Sequence, residues 1–210
     1  MKSVLCFGDS NTYGVNPDTQ GRWDREVRWT GVLQKLLGPE YYIIEEGYNG
    51  RTTVPTDHSD MFRCGIDGIQ AVMKTHSPVD LVIMMLGTND LHMQYATNAK
   101  VSADDAARVV RKLRGWCCEA GHPVPQILVV SPIHTGKNVG ESRFWGFADW
   151  AYDESLKFAE WYSRMAEMNG CHFFDAATVA GPGSDELHMG SESHKALAEA
   201  LAVKVREILG

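Results

Sequence analysis

Nowhere among the 210 residues does an apolar run approach the roughly 18 positions that a membrane-spanning helix requires. The opening stretch Met1-Lys2-Ser3-Val4-Leu5-Cys6-Phe7-Gly8-Asp9 turns polar too soon for the core of a secretory leader, so export by that route is not expected. Positive charge is also short. The 20 Lys and Arg are outnumbered by 27 Asp and Glu, a net charge of −7, which argues against a nucleic-acid partner while leaving room for a local basic pocket. The five cysteines (Cys6, Cys64, Cys117, Cys118 and Cys171) form an odd set without zinc-ligand spacing. Cys6, Cys117 and Cys171 sit in apolar runs, as small buried thiols do, and no Asn-x-Ser/Thr sequon occurs. A reducing cytoplasm is the expected setting. Absent, finally, are the Gly-x-Gly-x-x-Gly turn and the Gly-x-x-x-x-Gly-Lys-Ser/Thr loop that cradle nucleotide phosphates, and the Gly-x-Ser-x-Gly elbow of α/β-hydrolases.

What the chain does have is alternation. Five short apolar runs, Val4–Phe7, Tyr41–Glu45, Leu81–Leu86, Ile127–Val130 and His172–Phe174, are separated by longer amphipathic stretches. Runs apolar at nearly every position read as strands covered on both faces, the mark of a parallel sheet. Helices are predicted over Trp29–Leu37, Ser102–Ala120 with Ser102 as cap, Asp153–Met168 and Ser191–Leu209. The expected architecture is one α/β domain over residues 1–210, a three-layer α/β/α sandwich around a five-stranded parallel sheet. The longest irregular segment, Ile133–Tyr152, carries Phe144, Trp145, Phe147 and Trp150. It reads either as a lid or substrate wall or as a surface that packs on a neighbouring subunit.

Ligands of open α/β sheets bind beyond the carboxyl ends of the strands. At those ends stand Gly8-Asp9-Ser10, Glu46 to Gly50, Gly87-Thr88-Asn89-Asp90, Ser131-Pro132 and, before the last helix, Ser184 to His188. Ser10 is the candidate nucleophile, and a serine hydroxyl needs a base to accept its proton. The spacing Asp185-x-x-His188 lets a carboxylate hold one ring nitrogen while the other faces the serine. Read alone, the same spacing is merely a helix entrance. Among the eight histidines, His134, which follows a strand end, is the rival base. Acyl transfer also builds an oxyanion, for which the Ser10 N–H, the Gly50 N–H and the Asn89 side-chain amide are candidate donors.

In order, Gly8-Asp9-Ser10, Gly50, Gly87-Thr88-Asn89-Asp90 and Asp185-x-x-His188 resemble the four sequence blocks of the SGNH (GDSL-type) hydrolases. Val27 to Leu33, Ile44 to Gly47 and Leu86 to Asp90 look like the bacterial arylesterase/acyltransferase branch, and the similarity runs through nearly the whole chain. The resemblance implies a flavodoxin-like SGNH hydrolase fold and a small-molecule ester substrate. It implies Ser10 as nucleophile, His188 as base and then acid, and Asp185 as its orienting carboxylate. Ser10, Gly50 and Asn89 would form the oxyanion hole, without metal or organic cofactor. Members of that branch often form homo-oligomers and pass acyl groups to alcohols as well as water. The chain departs from the pattern at Asn11, where leucine is usual, and that side chain is expected to border the acyl pocket. A carbohydrate acetylesterase on the same scaffold, with Trp145 and Trp150 as sugar platforms, is one alternative. A flavodoxin-like binding module without catalysis is another.

Overall fold

The computed structural model describes residues 1–95, 97–144 and 146–210. Strands β1 (Lys2–Gly8), β2 (Tyr41–Gly47), β3 (Leu81–Met85), β4 (Gln126–Ser131) and β5 (His172–Asp175) pair in parallel, in the order β2-β1-β3-β4-β5. Between and after them lie α1 (Ser10–Tyr13), α2 (Trp29–Leu37), α3 (Gly65–His76), α4 (Ala99–Ala120), α5 (Trp150–Ser155), α6 (Phe158–Met168) and α7 (Ser191–Leu209). Successive side chains of a strand point to opposite faces, so each apolar run feeds two cores. Leu5 and Phe7 of β1, with Val82 and Met84 of β3, pack under α3, α4 and α6. Val4 and Cys6, with Leu81, Ile83 and Met85, pack under α2 and α7. Both faces are covered, which is why the strands read as unbroken apolar runs rather than alternating ones.

Helices α2 and α7 cover their predicted ranges. Helix α4 starts earlier than predicted: the Asn98 side chain accepts from the Val101 N–H at 3.0 Å, so Asn98 is the cap. Ser102 is instead buried inside the helix, its hydroxyl donating to Asp90 at 2.8 Å. The single helix expected over Asp153–Met168 is two, α5 and α6. At the end of α5, Ser155 Oγ donates to Tyr152 O at 2.7 Å and accepts from the Thr135 N–H at 3.1 Å. Helix α3 was not expected. Ile66, Ile69, Val72 and Met73 have helical spacing and face the core, but Gly65 and Gly68 among them lower the local propensity. No described helix is long and apolar enough to cross a membrane.

The strand order reverses between β1 and β3, where the chain leaves β1 to one side for β2 and returns on the other. Such a switch point opens a crevice at the carboxyl edge of the sheet. Ser10 lies there.

Candidate active site

Strand β1 runs straight into the serine. At Gly8 a β-carbon would sit 2.1 Å from Thr12 Oγ1 and 2.9 Å from Met85 O, so only glycine lets α1 fold back over the strand end. Asp9 caps this turn by accepting from the Asn11 N–H at 2.9 Å. Burial pushes the Asp9 carboxyl up to about 6, against the pull of the Asn11 N–H, His188 and Arg51. Ser10 then opens α1.

The loop before α7 brings the imidazole to it. One carboxylate oxygen of Asp185 accepts from the Leu187 N–H at 3.0 Å and the His188 N–H at 2.8 Å, and the other accepts from His188 Nδ1 at 2.8 Å. A spacing of three therefore closes a small ring through backbone and side chain together. With Nδ1–H committed to the carboxylate, His188 Nε2 accepts from Ser10 Oγ–H at 2.9 Å. Burial would raise the Asp185 carboxyl, but the His188 ring and the two N–H donors outweigh it and hold the group below its usual range. The Phe144 and His188 rings meet edge to face, centroids 4.8 Å apart.

Opposite the histidine stands a turn in which the Arg51 N–H donates to Tyr48 O at 3.0 Å, with Gly50 at φ +76°. The Asn89 side-chain amide donates to Arg51 O at 3.0 Å, which braces it against that turn. Among the described residues, neither the Ser10 N–H nor the Gly50 N–H donates to a protein acceptor. Ser10, His188, Gly50 and Asn89 line one cavity of roughly 390 Å³. Behind Asn89, fully buried Asp90 accepts from the Thr53 N–H, the Thr53 hydroxyl and the Ser102 hydroxyl. Tyr162 OH, next to Ser102, donates to Leu86 O at 2.8 Å.

Other expected site residues fall elsewhere. Asn11 does not border the cavity. It is buried and faces the histidine loop, donating to Leu187 O at 3.3 Å and accepting from the Met189 N–H at 2.9 Å. An amide spans both backbone groups where leucine would meet neither. Trp150 is exposed at the start of α5, away from the cavity lining, and Trp145 lies outside the described residues. The rival His134 is not part of the lining. His194 is fully buried and accepts from the Trp29 N–H, and burial together with the nearby Arg28 and His188 lowers it to about 3. It stays neutral.

The structure also brings in residues that the sequence reading passed over. Arg51 is buried against the Phe7 ring (4.2 Å) and donates from Nη1 to Gly8 O at 2.9 Å and to Glu46 O, tying the ends of β1 and β2 beneath the site. Its place after a turn glycine was the only hint in the sequence. Val15, Gln20 and Arg143, with Arg63 at the end of the short 3-10 helix Met61–Arg63, join the cavity wall from segments with no recurring pattern. Phe144 and Phe147 line it too, so the 133–152 segment does form part of the wall.

The fold has counterparts among known proteins. The native aryl esterase of M. smegmatis superposes with a TM-score of 0.92 at 33% identity, over 100% of both chains. A carbohydrate acetylesterase family member from Sinorhizobium meliloti does so with a TM-score of 0.91 at 35% identity, again over 100% of both chains. No curated protein matches the sequence. The model of the GDSL-like Lipase/Acylhydrolase family matches residues 6–196, and with the parallel sheet and the ordered blocks at its carboxyl edge, the chain belongs to that family, the SGNH hydrolases.

Proposed function

We propose that the protein is a serine ester hydrolase acting on small carboxylic esters through Ser10, His188 and Asp185. One observation carries the reading: a continuous line of hydrogen bonds, 2.9 Å from Ser10 Oγ to His188 Nε2 and 2.8 Å from His188 Nδ1 to Asp185, at the switch point of the sheet. In the first step Ser10 Oγ bonds to the ester carbonyl carbon as its proton passes to His188 Nε2. The carbonyl oxygen becomes an oxyanion held by the Ser10 N–H, the Gly50 N–H and the Asn89 amide. As the carbonyl re-forms, the bond to the leaving alcohol breaks and His188 gives its proton to that oxygen. Water attacks the acyl-enzyme, losing a proton to His188, and collapse returns that proton to Ser10 Oγ with release of the acid. An alcohol in place of water gives transfer of the acyl group.

The test is labelling with an organophosphate, followed by location of the adduct. Modification of Ser10, together with loss of p-nitrophenyl acetate hydrolysis in a folded Ser10→Ala variant, is the expected result. Turnover retained by that variant refutes the reading.

A carbohydrate acetylesterase is the second reading, favoured by the polar wall that Gln20, Asn49 and Arg143 contribute to the cavity. It needs the same reacting groups. Faster release of acetate from acetylated sugars than from aryl acetates would select it.

A further inference from the structure

The charged side chains that line the cavity at Ser10, among the described residues, are cationic, whereas the chain as a whole has an acidic excess. The chain carries 27 acidic against 20 Lys and Arg side chains, yet Arg63 and Arg143 line the cavity and no described Asp or Glu does. The two arginines are not equivalent. Arg63 is already matched, with Nη1 2.7 Å from Asp57 and Nε 3.4 Å from Asp60, and its stem packs on Gly50. Among the described residues, Arg143 has only neutral partners. Its Nη2 donates to Pro17 O, and with the Gln20 amide oxygen turned toward it, Nε and Nη2 donate to that oxygen at 3.3 and 3.1 Å. On its other side the adjoining cleft holds Glu141, Asp185 and Glu186, but none ion-pairs with it among the described residues; Asp185 is committed to Leu187 and His188, and Glu186 accepts from the Asn138 N–H at 3.1 Å. A guanidinium offers five donors in a planar fork suited to a carboxylate, and here a cationic group with Nη1 still uncommitted stands in the cavity wall with no ion pair among the described residues.

We infer that the preferred substrate is an ester that also bears a carboxylate, held by Arg143 while its carbonyl lies at Ser10. The inference rests on the ester hydrolase reading above and specifies its substrate class. Neutral esters would still react, since nothing in the acyl transfer itself uses the extra charge. The gain lies in binding and orientation.

Two matched pairs test it, one for each side of the ester bond. On the acyl side, mono-p-nitrophenyl succinate is compared with p-nitrophenyl butyrate; on the alcohol side, 4-acetoxybenzoate with 4-acetoxybenzamide. The readout is the anionic-to-neutral ratio of kcat/KM in the wild type, Arg143→Lys, Arg143→Gln and Arg143→Glu, so that the intrinsic reactivity of each ester cancels. One pair should show a ratio that falls about tenfold in Arg143→Gln and further in Arg143→Glu, and is partly kept by Arg143→Lys. In the wild type the same ratio should shrink as salt rises, because an exposed guanidinium is screened. Ratios identical across all four proteins in both pairs, with neutral esters still cleaved and Ser10 labelled, overturn the inference and leave the hydrolase reading standing. No cleavage of any ester and no label at Ser10 overturn both.

Discussion

Replacing Asn11 by alanine should loosen the loop that carries His188 without touching the reacting groups. The side chain is buried, and its amide makes one hydrogen bond on each side of the histidine, to Leu187 O and from the Met189 N–H. Those two residues are 4% and 0% exposed, so alanine leaves a carbonyl and an N–H with little access to water. At about 1–3 kcal/mol for each buried group left unmatched, the loss is on the order of 3 kcal/mol. For a chain of this length that corresponds to a fall in Tm of roughly 6–12 °C. The same loosening should lower kcat about tenfold with little change in KM, because a misplaced base costs the transition state more than the bound ester. Thermal melting, urea unfolding and steady-state hydrolysis of p-nitrophenyl acetate measure these effects. Asn11→Asp sharpens the test: one carboxylate oxygen still accepts from the Met189 N–H, but the other is set against Leu187 O, so this near-isostere should not restore the wild type. A melting temperature unchanged within a degree or two in Asn11→Ala would refute the argument for the clamp. A large loss of stability with kcat intact would show that the clamp holds the fold but does not position the histidine.

Further expectations concern the acyl-transfer machinery and pH. In the proposed mechanism the carboxylate orients the ring rather than carrying the proton, so His188→Ala should lower kcat by about 10⁶ and Asp185→Asn by about 10⁴; equal losses or the reverse order, measured on one aryl acetate, would contradict those proposed roles. Gly50→Ala places a β-carbon 2.7 Å from Arg63 Nε at a φ of +76°, so Arg63 must give way and the turn is strained; with the N–H displaced, kcat should fall at least about tenfold; unchanged kcat would remove Gly50 from the proposed oxyanion hole. Burial lifts Asp90 to about 7 in the folded chain. Between an unfolded value of about 3.9 and the folded one, the native state keeps a proton that the unfolded state loses, so this group makes stability fall as pH rises through that window. Asp90→Asn cannot titrate and should flatten that part of the decline when Tm is compared at acidic and neutral pH. Parallel curves for wild type and variant would count against it.

Periodicity in the sequence was enough for the sheet and for α2 and α7, because strands covered on both faces must be apolar throughout and surface helices must be apolar every three to four residues. It failed where local signals competed with distant ones. Ser102 has the chemistry of a cap, but Asp90 draws its hydroxyl into the interior, and Asn98 takes the helix start. Ser10, Gly50, Asn89, Asp185 and His188 were legible because each sits beside a strand end or a helix start, and chain order alone sends those positions to one edge. The link from Asp185 to His188 is likewise local, three residues on one loop.

Everything that depends on approach through space was decided by the tertiary structure. Ser10 and His188 lie 178 positions apart and meet only because the sheet carries both to the switch point. Asn11, placed by resemblance at the acyl pocket, turned out to face backbone groups beyond residue 186, contacts that no window of sequence around it contains. The sign of the cavity was hidden for the same reason. Net charge sums over the whole chain, whereas a substrate meets only the few side chains that loops from distant positions bring to one wall.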